Sequence, residues 1–459
     1  MTNIPVEEGK KYTIEIIDTG ESGEGIGKID GFTVFVDGGI PEDKIEIKAT
    51  KVKKSYALGK IIEIKEKSPY RVTPACPVAE ECGGCQIQNI DYSKQLEMKR
   101  KKVESSIERI GKLEGILVHD TLGMDTPFNY RNKAQFPIGK EKGKALIGFY
   151  KKGTHNIVDI DGCKIQHDIN NRIIRIFKAF IDNNKISIYD EKTGNGLLRH
   201  ILTRVSYTSD DLMVVVITNG TKLPFKDEII NELTKEIPQI KSIVQNINTK
   251  KTNVILGREC KTLYGQDKIV DYIGDLKFEI SPLSFFQVNS FQTKVLYDKT
   301  LEYAGLSGNE TVFDIYCGIG SISLFLAQKA KKVYGIEVID AAIKDAKKNS
   351  ELNSMDNTEF FVGKAEEVVP KLYKEGLKAD VVVVDPPRKG CDRVVLETIA
   401  MMEPERVVYV SCKPSTLARD LKILDELGYK TEEIQPVDMF PHTTHVETIV
   451  RIQRKESEK

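Results

Sequence analysis

Between Lys11 and Ser68 apolar and polar residues alternate in short runs, Y-T-I-E-I-I-D, F-T-V-F-V-D, K-I-E-I-K-A-T-K-V and K-I-I-E-I. The turns between them are G-E-S-G-E-G-I-G and G-G-I-P-E-D. Short alternating strands split by Gly and Pro predict a small β-barrel of OB type. From Asp91 to Lys112 the period becomes helical, with Leu96, Val103, Ile107 and Ile110 on one stripe. Tyr130 to Ile160 alternates again between Gly breaks, which predicts antiparallel sheet. The pattern then predicts a helix over Ile169–Asn183, strands over Leu197–Val205 and Leu212–Thr218, a helix over Lys226–Glu236 and a strand over Ser242–Ile247. From Asn289 onward, strands alternate with helices, the mark of a parallel α/β sheet. Its strands are T-V-F-D-I, V-Y-G-I-E, A-D-V-V-V-V-D and R-V-V-Y-V-S-C.

At 459 residues the chain is too long for one core, so about two to four domains are expected. No apolar run reaches the roughly 18 to 20 residues of a membrane span. The first residues, M-T-N-I-P-V-E-E-G-K-K, contain no apolar signal core, so the expectation is a cytoplasmic protein with no membrane partner. The formal net charge is zero, which gives no global polycationic signature. Basic runs at Lys48–Lys60 and Lys94–Lys102 read either as solvated faces or as local patches for nucleic acid.

Eight cysteines in a chain of this length and compartment do not form a disulfide framework. Cys76, Cys82 and Cys85 fall within one short stretch, and Cys163 stands apart in D-G-C-K-I-Q-H. Three clustered thiols and a distant fourth can surround one metal ion or cluster, with Gly83 and Gly84 letting the backbone wrap closely. Zinc sites usually pair two C-x-x-C knuckles, and iron–sulfur clusters take four thiolates. Spacing alone leaves both open.

Chemistry also gathers at the strand ends. The turn Cys317-Gly318-Ile319-Gly320 follows an apolar strand, and Glu337 ends the next one. Such a turn lets backbone approach a nucleoside, and the acid takes its ribose hydroxyls. The dinucleotide fingerprint G-x-G-x-x-G is absent. Asp385-Pro386-Pro387-Arg388 ends a continuously apolar strand in a rigid edge. Cys412 follows the last strand, before Pro414 and a helical start at Ser415-Thr416. A cysteine there is either small core filler or a nucleophile presented at a cleft.

The segment Lys11–Ser68 resembles a TRAM domain, an RNA-binding module, except that Glu42 stands where Gly usually follows the Pro. F-F-Q-V-N, D-I-Y-C-G-I-G, D-P-P-R-K-G, S-C-K-P-S-T-L-A-R-D and F-P-H-T-T-H-V-E-T together resemble the RNA 5-methyluridine methyltransferases. The resemblance is narrowest to the 23S rRNA (uracil-5-)-methyltransferases with a TRAM domain and a 4Fe-4S cluster, and it spans nearly the whole chain. It implies an OB-like barrel over 1–67 and a central α+β domain over 68–90 and 119–284 holding the cluster. It further implies a class I methyltransferase sheet of Rossmann-like type over 285–459, joined by the early segment 91–118. It implies S-adenosylmethionine bound by Gln287, Tyr316, Glu337 and Asp385, Cys412 as nucleophile and Glu447 as base. Cys76, Cys82, Cys85 and Cys163 are the implied cluster ligands, 23S rRNA the implied partner, and a monomer the expected state.

A thiolate adding to C6 of uracil makes C5 nucleophilic toward the sulfonium methyl, and a base then removes the C5 proton. That chemistry requires one Cys, one base and one flipped pyrimidine. Lys413 or the helix start behind Cys412 is expected to lower the thiol pKa. His442 and His445 read as packing or orienting groups. A tRNA-directed enzyme of the same chemistry is the near alternative. An exocyclic-amino methylase, which needs no covalent Cys, and an RNA-binding protein without activity are the more distant ones.

Overall fold

The computed structural model describes residues 4–455. The strands Lys11–Thr19, Gly25–Ile29, Phe32–Val36, Lys44–Val52 and Tyr56–Glu66 close into a barrel, in spatial order first, second, third, fifth, fourth. Alternate residues point inward, and Ile14, Ile16, Val34, Val36, Ile45 and Ile47 form its core. Glu42 sits in the left-handed region at φ 74°, which accounts for the Gly more usual there. A non-Gly residue in that conformation costs about 1–2 kcal/mol. Its carboxylate meets the Lys94 ammonium at 3.3 Å.

The middle of the chain forms a seven-stranded sheet, in order Glu259–Gly265, Ile240–Ile247, Leu212–Thr218, Leu198–Val205, Lys133–Glu141, Lys144–Tyr150, Ile157–Asp159. The run Tyr130–Ile160 is antiparallel as expected, but Leu212–Thr218 and Ile240–Ile247 run parallel, with the helix Lys226–Glu236 crossing between them. Leu198–Val205 and Leu212–Thr218 are buried at every position. One face packs on the helix Ile169–Asn184, and the other joins the core of the C-terminal sheet. That two-sided burial explains the nearly continuous apolar sequence of Leu212–Thr218, while Leu198–Val205 also buries Arg199, His200, Thr203 and Arg204. The edge strand Glu259–Gly265 is mostly exposed and carried no clear period.

The hairpin Ile269–Ile273/Leu276–Ile280 is the seam between the two larger units. Ile269, Ile273, Phe278 and Ile280 share one core with Met213 and Val215 on one side and Leu296, Val312 and Val383 on the other.

The C-terminal sheet has eight strands, in order Thr358–Val362, Lys332–Glu337, Thr311–Ile315, Val381–Val384, Arg406–Ser411, Glu447–Arg454, Tyr429–Val437, Leu117–Val118. The first five are parallel. Glu447–Arg454 then enters antiparallel between Arg406–Ser411 and Tyr429–Val437. The expected parallel sheet thus ends in an antiparallel hairpin, and the early strand Leu117–Val118 adds to its edge.

Helix α1, Tyr92–Ser106, begins at Asp91, whose side chain accepts from the Ser93 N–H. It continues as a π-helical turn over Ile107–Gly111, where the sequence pattern showed only an unbroken helix. A Cβ at Gly111 would lie 3.1 Å from the Ala418 carbonyl, so the turn packs closely on the helix Pro414–Glu426. Among the described residues no helix is long and apolar enough to cross a membrane.

Candidate active site and a cysteine-lined cavity

Sheet register aligns the strand-end residues singled out in the sequence. Ile315 pairs with Ile336 on one side and Val384 on the other, so Tyr316 and Asp385 each lie one position beyond their strands, and Glu337, still paired with Val362, ends its own. Val384 pairs with Tyr409 in the next strand, which ends just before Cys412. Ser411 pairs antiparallel with Thr448, so Cys412 and Glu447 leave the last two strands side by side. Thr448 Oγ1 donates to the Ser411 carbonyl at 3.1 Å and fixes that junction. Ligands of open α/β sheets bind at this carboxyl edge.

The turn after Thr311–Ile315 is held open by unusual backbone. Tyr316 has φ 72°, with Gly318 at 55° and Gly320 at 80°. Non-Gly residues in this region are strained and often mark ligand sites. Glu337 accepts from the Gly318 N–H at 3.3 Å and from the Ile339 N–H at 2.9 Å, so its carboxylate is aimed by the turn it faces. Val338, Ile339 and Val362 lie beside it and are about half exposed, at 56%, 58% and 47%. These apolar side chains stand exposed beside the acid, which the sequence reading missed. The signal was present as two aliphatic residues directly after a strand-end acid.

Gln287 lies half-buried in the loop before the helix Ser290–Ala304. Its carbonyl accepts from Asn132 Nδ2 at 2.9 Å, and Val288 O accepts from the Asn132 N–H at 2.8 Å. The loop is therefore fixed by the strand region after Arg131.

The site is acidic and poorly hydrated. Burial pushes Asp314 up to about 7, with Ser323 Oγ donating to its carboxylate. Burial, then the Asp314 charge, pushes Asp385 up to about 7. Glu447, only 5% exposed, is raised well above the usual carboxylate range by burial and then by Asp385. Cys412 is pushed up to about 11, first by burial and then by Glu447 and Asp385. The expected lowering by Lys413 or the helix start is therefore overturned. The cation whose field does favour the Cys412 thiolate is Arg388. Among the described residues no carboxylate pairs with Arg388, which is exposed.

A clasp behind the site explains the Arg-Asp that ends the Cys412 motif. The fully buried Asp420 accepts from the Cys391 N–H at 2.8 Å, Tyr409 OH at 2.6 Å and Arg419 Nε at 2.8 Å. Arg419 also donates to the Lys389 carbonyl at 2.9 Å. A Cβ at Gly390 would come within 2.5 Å of this carboxylate. The helix behind Cys412 thus anchors the D-P-P-R-K-G loop.

The structure brings Cys76, Cys82, Cys85 and Cys163 to one cavity of about 180 Å³. Among the described residues no three His, Cys, Asp or Glu side chains converge as a single-ion site requires. Burial first, then neighbouring thiols, pushes Cys85 up to about 12; burial pushes Cys163 up to about 11. Gln88 Nε2, Arg131 Nε and Gln166 Oε1 belong to residues lining the same cavity, and each is buried without a hydrogen-bond partner. Four thiols around one space, with a guanidinium beside them, suit a group larger than one ion and negatively charged when ligated.

His442 stacks on Phe128 at 4.5 Å between ring centres, and burial lowers its pKa to about 4. His445 lies among Arg388, Lys102 and Arg131, and burial followed by those charges lowers it to about 4. His442 is a buried packing group, whereas His445 is exposed at the surface with its ring edge-on to Phe440. The Lys94–Lys102 run is not simply a solvated face. Lys94 and Lys99 are buried, at 8% and 2% exposure, and both are ion-paired.

The family model for tRNA (uracil-5-)-methyltransferases matches residues 91–455, and that for the TRAM domain matches residues 5–62. The chain is 53% identical over 448 residues to an uncharacterized RNA methyltransferase of Clostridium tetani, covering 98% of this chain and 97% of that one. It is 53% identical over 452 residues to one of Bacillus cereus, covering 98% of each. Among solved structures it is similar to the Pyrococcus abyssi tRNA (uracil-54, C5)-methyltransferase in complex with S-adenosyl-L-homocysteine. That match has a TM-score of 0.77 and 29% identity, over 96% of this chain and 100% of the other. Strand-end geometry, barrel and full-length similarity agree, and the chain belongs to the RNA (uracil-5-)-methyltransferase family, with a TRAM domain as its barrel.

Proposed function

We propose that the protein transfers a methyl group from S-adenosylmethionine to C5 of a uridine in 23S rRNA, through a covalent bond between Cys412 and C6. The observation that carries this reading is the abutment of Cys412 and Glu447 at the ends of two paired strands, with Asp385 on the neighbouring strand. Glu337 receives the ribose hydroxyls, the apolar side chains beside it receive the adenine, and Tyr316, Asp385 and Gln287 complete the cofactor cleft.

The Cys412 thiolate adds to C6, and the resulting electron-rich C5 takes the methyl group. Glu447 then accepts the C5 proton. The electrons of that C–H bond restore the C5–C6 double bond, and the C6–S bond breaks to release the thiolate. A thiol held near 11 is neutral in the free protein, so the thiolate forms as substrate enters. The Cys412 proton leaves to solvent as the site fills, so the Glu447 carboxylate stays free to take the C5 proton, and Arg388 steadies the sulfur anion.

Cys76, Cys82, Cys85 and Cys163 hold a 4Fe-4S cluster in this reading. The cluster supplies four iron–thiolate bonds that tie the Cys76–Cys85 loop to the Cys163 loop. No step of methyl transfer passes through it.

The similarity to a tRNA enzyme along nearly the whole chain favours tRNA as the second substrate reading. Mapping 5-methyluridine in rRNA and tRNA, from cells with and without this protein, decides between them. Loss of a 23S rRNA mark is expected, and loss of a tRNA mark alone overturns the rRNA assignment.

A further inference from the structure

The connection between the strands Tyr429–Val437 and Glu447–Arg454 spans residues 438–446 and delivers Glu447 to the site. It contains no helix or strand of its own. It is held from outside, on one side by a face of α1 and on the other by Tyr130, Asn289, Gln292 and the Gln86–Ile87 backbone. Asp438, fully buried, takes the Tyr92 hydroxyl at 2.8 Å and the Lys99 ammonium. Lys99 also donates to the Phe440 carbonyl at 3.1 Å. Gln95 Oε1 accepts from the His442 N–H at 3.0 Å, and Lys102 Nζ donates to the Thr444 carbonyl at 3.0 Å. Tyr92, Gln95, Lys99 and Lys102 are spaced by three, four and three residues, so they share one helical face. Their partners are Asp438, Phe440, His442 and Thr444, every second residue of the connection.

Further along the same face, Val103 and the following Ile107 pack with Leu417 and Ala418, on the helix behind Cys412. The apolar end of this face therefore backs the nucleophile's helix, and its polar side chains hold the connection to the base. A buried Lys–Asp pair is a poor source of stability compared with apolar packing of similar volume. It does impose a fixed geometry on what it joins, and here that is the root of the Glu447 connection.

We propose that the polar face of α1 is a positioning device for Glu447, and that Lys99 and Gln95 act on C5 proton removal without acting on formation of the Cys412 adduct. The inference rests on the covalent mechanism proposed above. It separates two steps that share one active site. With the connection loosened, Cys412 still adds to C6 and C5 still takes the methyl. The C5 proton then finds no aligned acceptor, the C6–S bond cannot break, and methylated RNA stays attached to the protein.

The test uses the full-length protein with a uridine-containing 23S rRNA fragment and, separately, tRNA, each with methyl-labelled S-adenosylmethionine. Labelled protein–RNA adduct is followed on denaturing gels, and released 5-methyluridine is followed by digestion. Gln95→Met and Lys99→Met are expected to form adduct within about two-fold of the unaltered rate and to release product about ten- to hundred-fold more slowly. Labelled adduct is then expected to accumulate, as it is in Glu447→Gln if Glu447 takes the C5 proton. Adding Gln95→Met to Glu447→Gln slows release no further. The double variant Lys99→Met/Asp438→Asn removes both buried charges, and it carries the Lys99 arm if the single variant does not fold. Adduct formation and release falling in parallel, or neither changing, overturns the inference and leaves the covalent mechanism standing. A Cys412→Ala protein that still makes 5-methyluridine overturns the mechanism itself.

Discussion

The strand-end cleft and the cysteine-lined cavity both hold ionisable groups away from their ordinary pKa, but they are built from different materials. Glu337, Asp385 and Glu447 stand at, or one residue beyond, a strand end, Asp314 lies one residue inside one, and Glu337, Asp314 and the Cys412 junction are fixed by short-range bonds. The cavity stands on loops: Cys76–Cys85 contains no helix or strand, and Cys163 lies in a turn before the helix Ile169–Asn184. A cleft on strands is organised before its ligand arrives. A cavity on loops gains its organisation from what the thiols bind.

The largest effect is expected at the cleft. Cys412→Ala should abolish methyl transfer to RNA, while the melting temperature stays within a few degrees, because a half-buried side chain at a strand end carries little packing. Transfer of labelled methyl to RNA measures it, and retained activity identifies an exocyclic-amino methylase instead. The cavity should respond in the opposite sense. Cys85→Ser should lower the melting temperature more than Cys412→Ala does, and lower bound iron and sulfide together. Equal melting temperatures for the two variants erase the distinction between a prebuilt cleft and a ligand-built cavity.

Protonation sharpens the same contrast. With its pKa near 11, Cys412 in the free protein should alkylate slowly at pH 7, with a rate still rising above pH 9. Arg388→Ala should slow alkylation further, since that guanidinium is the cation opposing the rise. A plateau near the ordinary thiol value of about 8.5 contradicts the buried-thiol description.

A smaller effect concerns Asp314 and Asp385. Their folded pKa values, about 7, exceed the unfolded value, so the stability they contribute is complete below about pH 4 and is lost as pH rises through 7. Between those limits the folded state binds more protons than the unfolded one. A cationic sulfonium ligand should reverse that preference and release protons near pH 7. Calorimetry of S-adenosylmethionine binding in buffers of different ionisation enthalpy measures the release, and a buffer-independent enthalpy contradicts it.

Much of the cleft was legible because each part is a local pattern. An apolar strand, a Gly turn and a terminal acid are encoded within a dozen or so residues, as is D-P-P after four valines. The parts that were not legible depend on distant partners. Lys99 read as part of a basic run, because its burial is determined by Asp438, 339 positions along the chain. Lys413 looked like the cation for Cys412, but the residue whose charge reaches the thiol is Arg388, brought there by the Asp420 clasp. The seam hairpin Ile269–Ile280 was missed because its short strands become intelligible only between two other sheets.

By itself the sequence determined most of the elements and the family, and it singled out the side chains proposed to react, since periodicity, turn chemistry and motif spacing are properties of short stretches. The tertiary structure alone decided three things. Pairing of Ser411 with Thr448 sets Cys412 beside Glu447. One helix packs both behind Cys412 and against the connection to Glu447, and burial raises the pKa of both groups. The physical reason is range: a turn is chosen by its own residues, whereas register and desolvation are set by residues that meet only after the chain has folded.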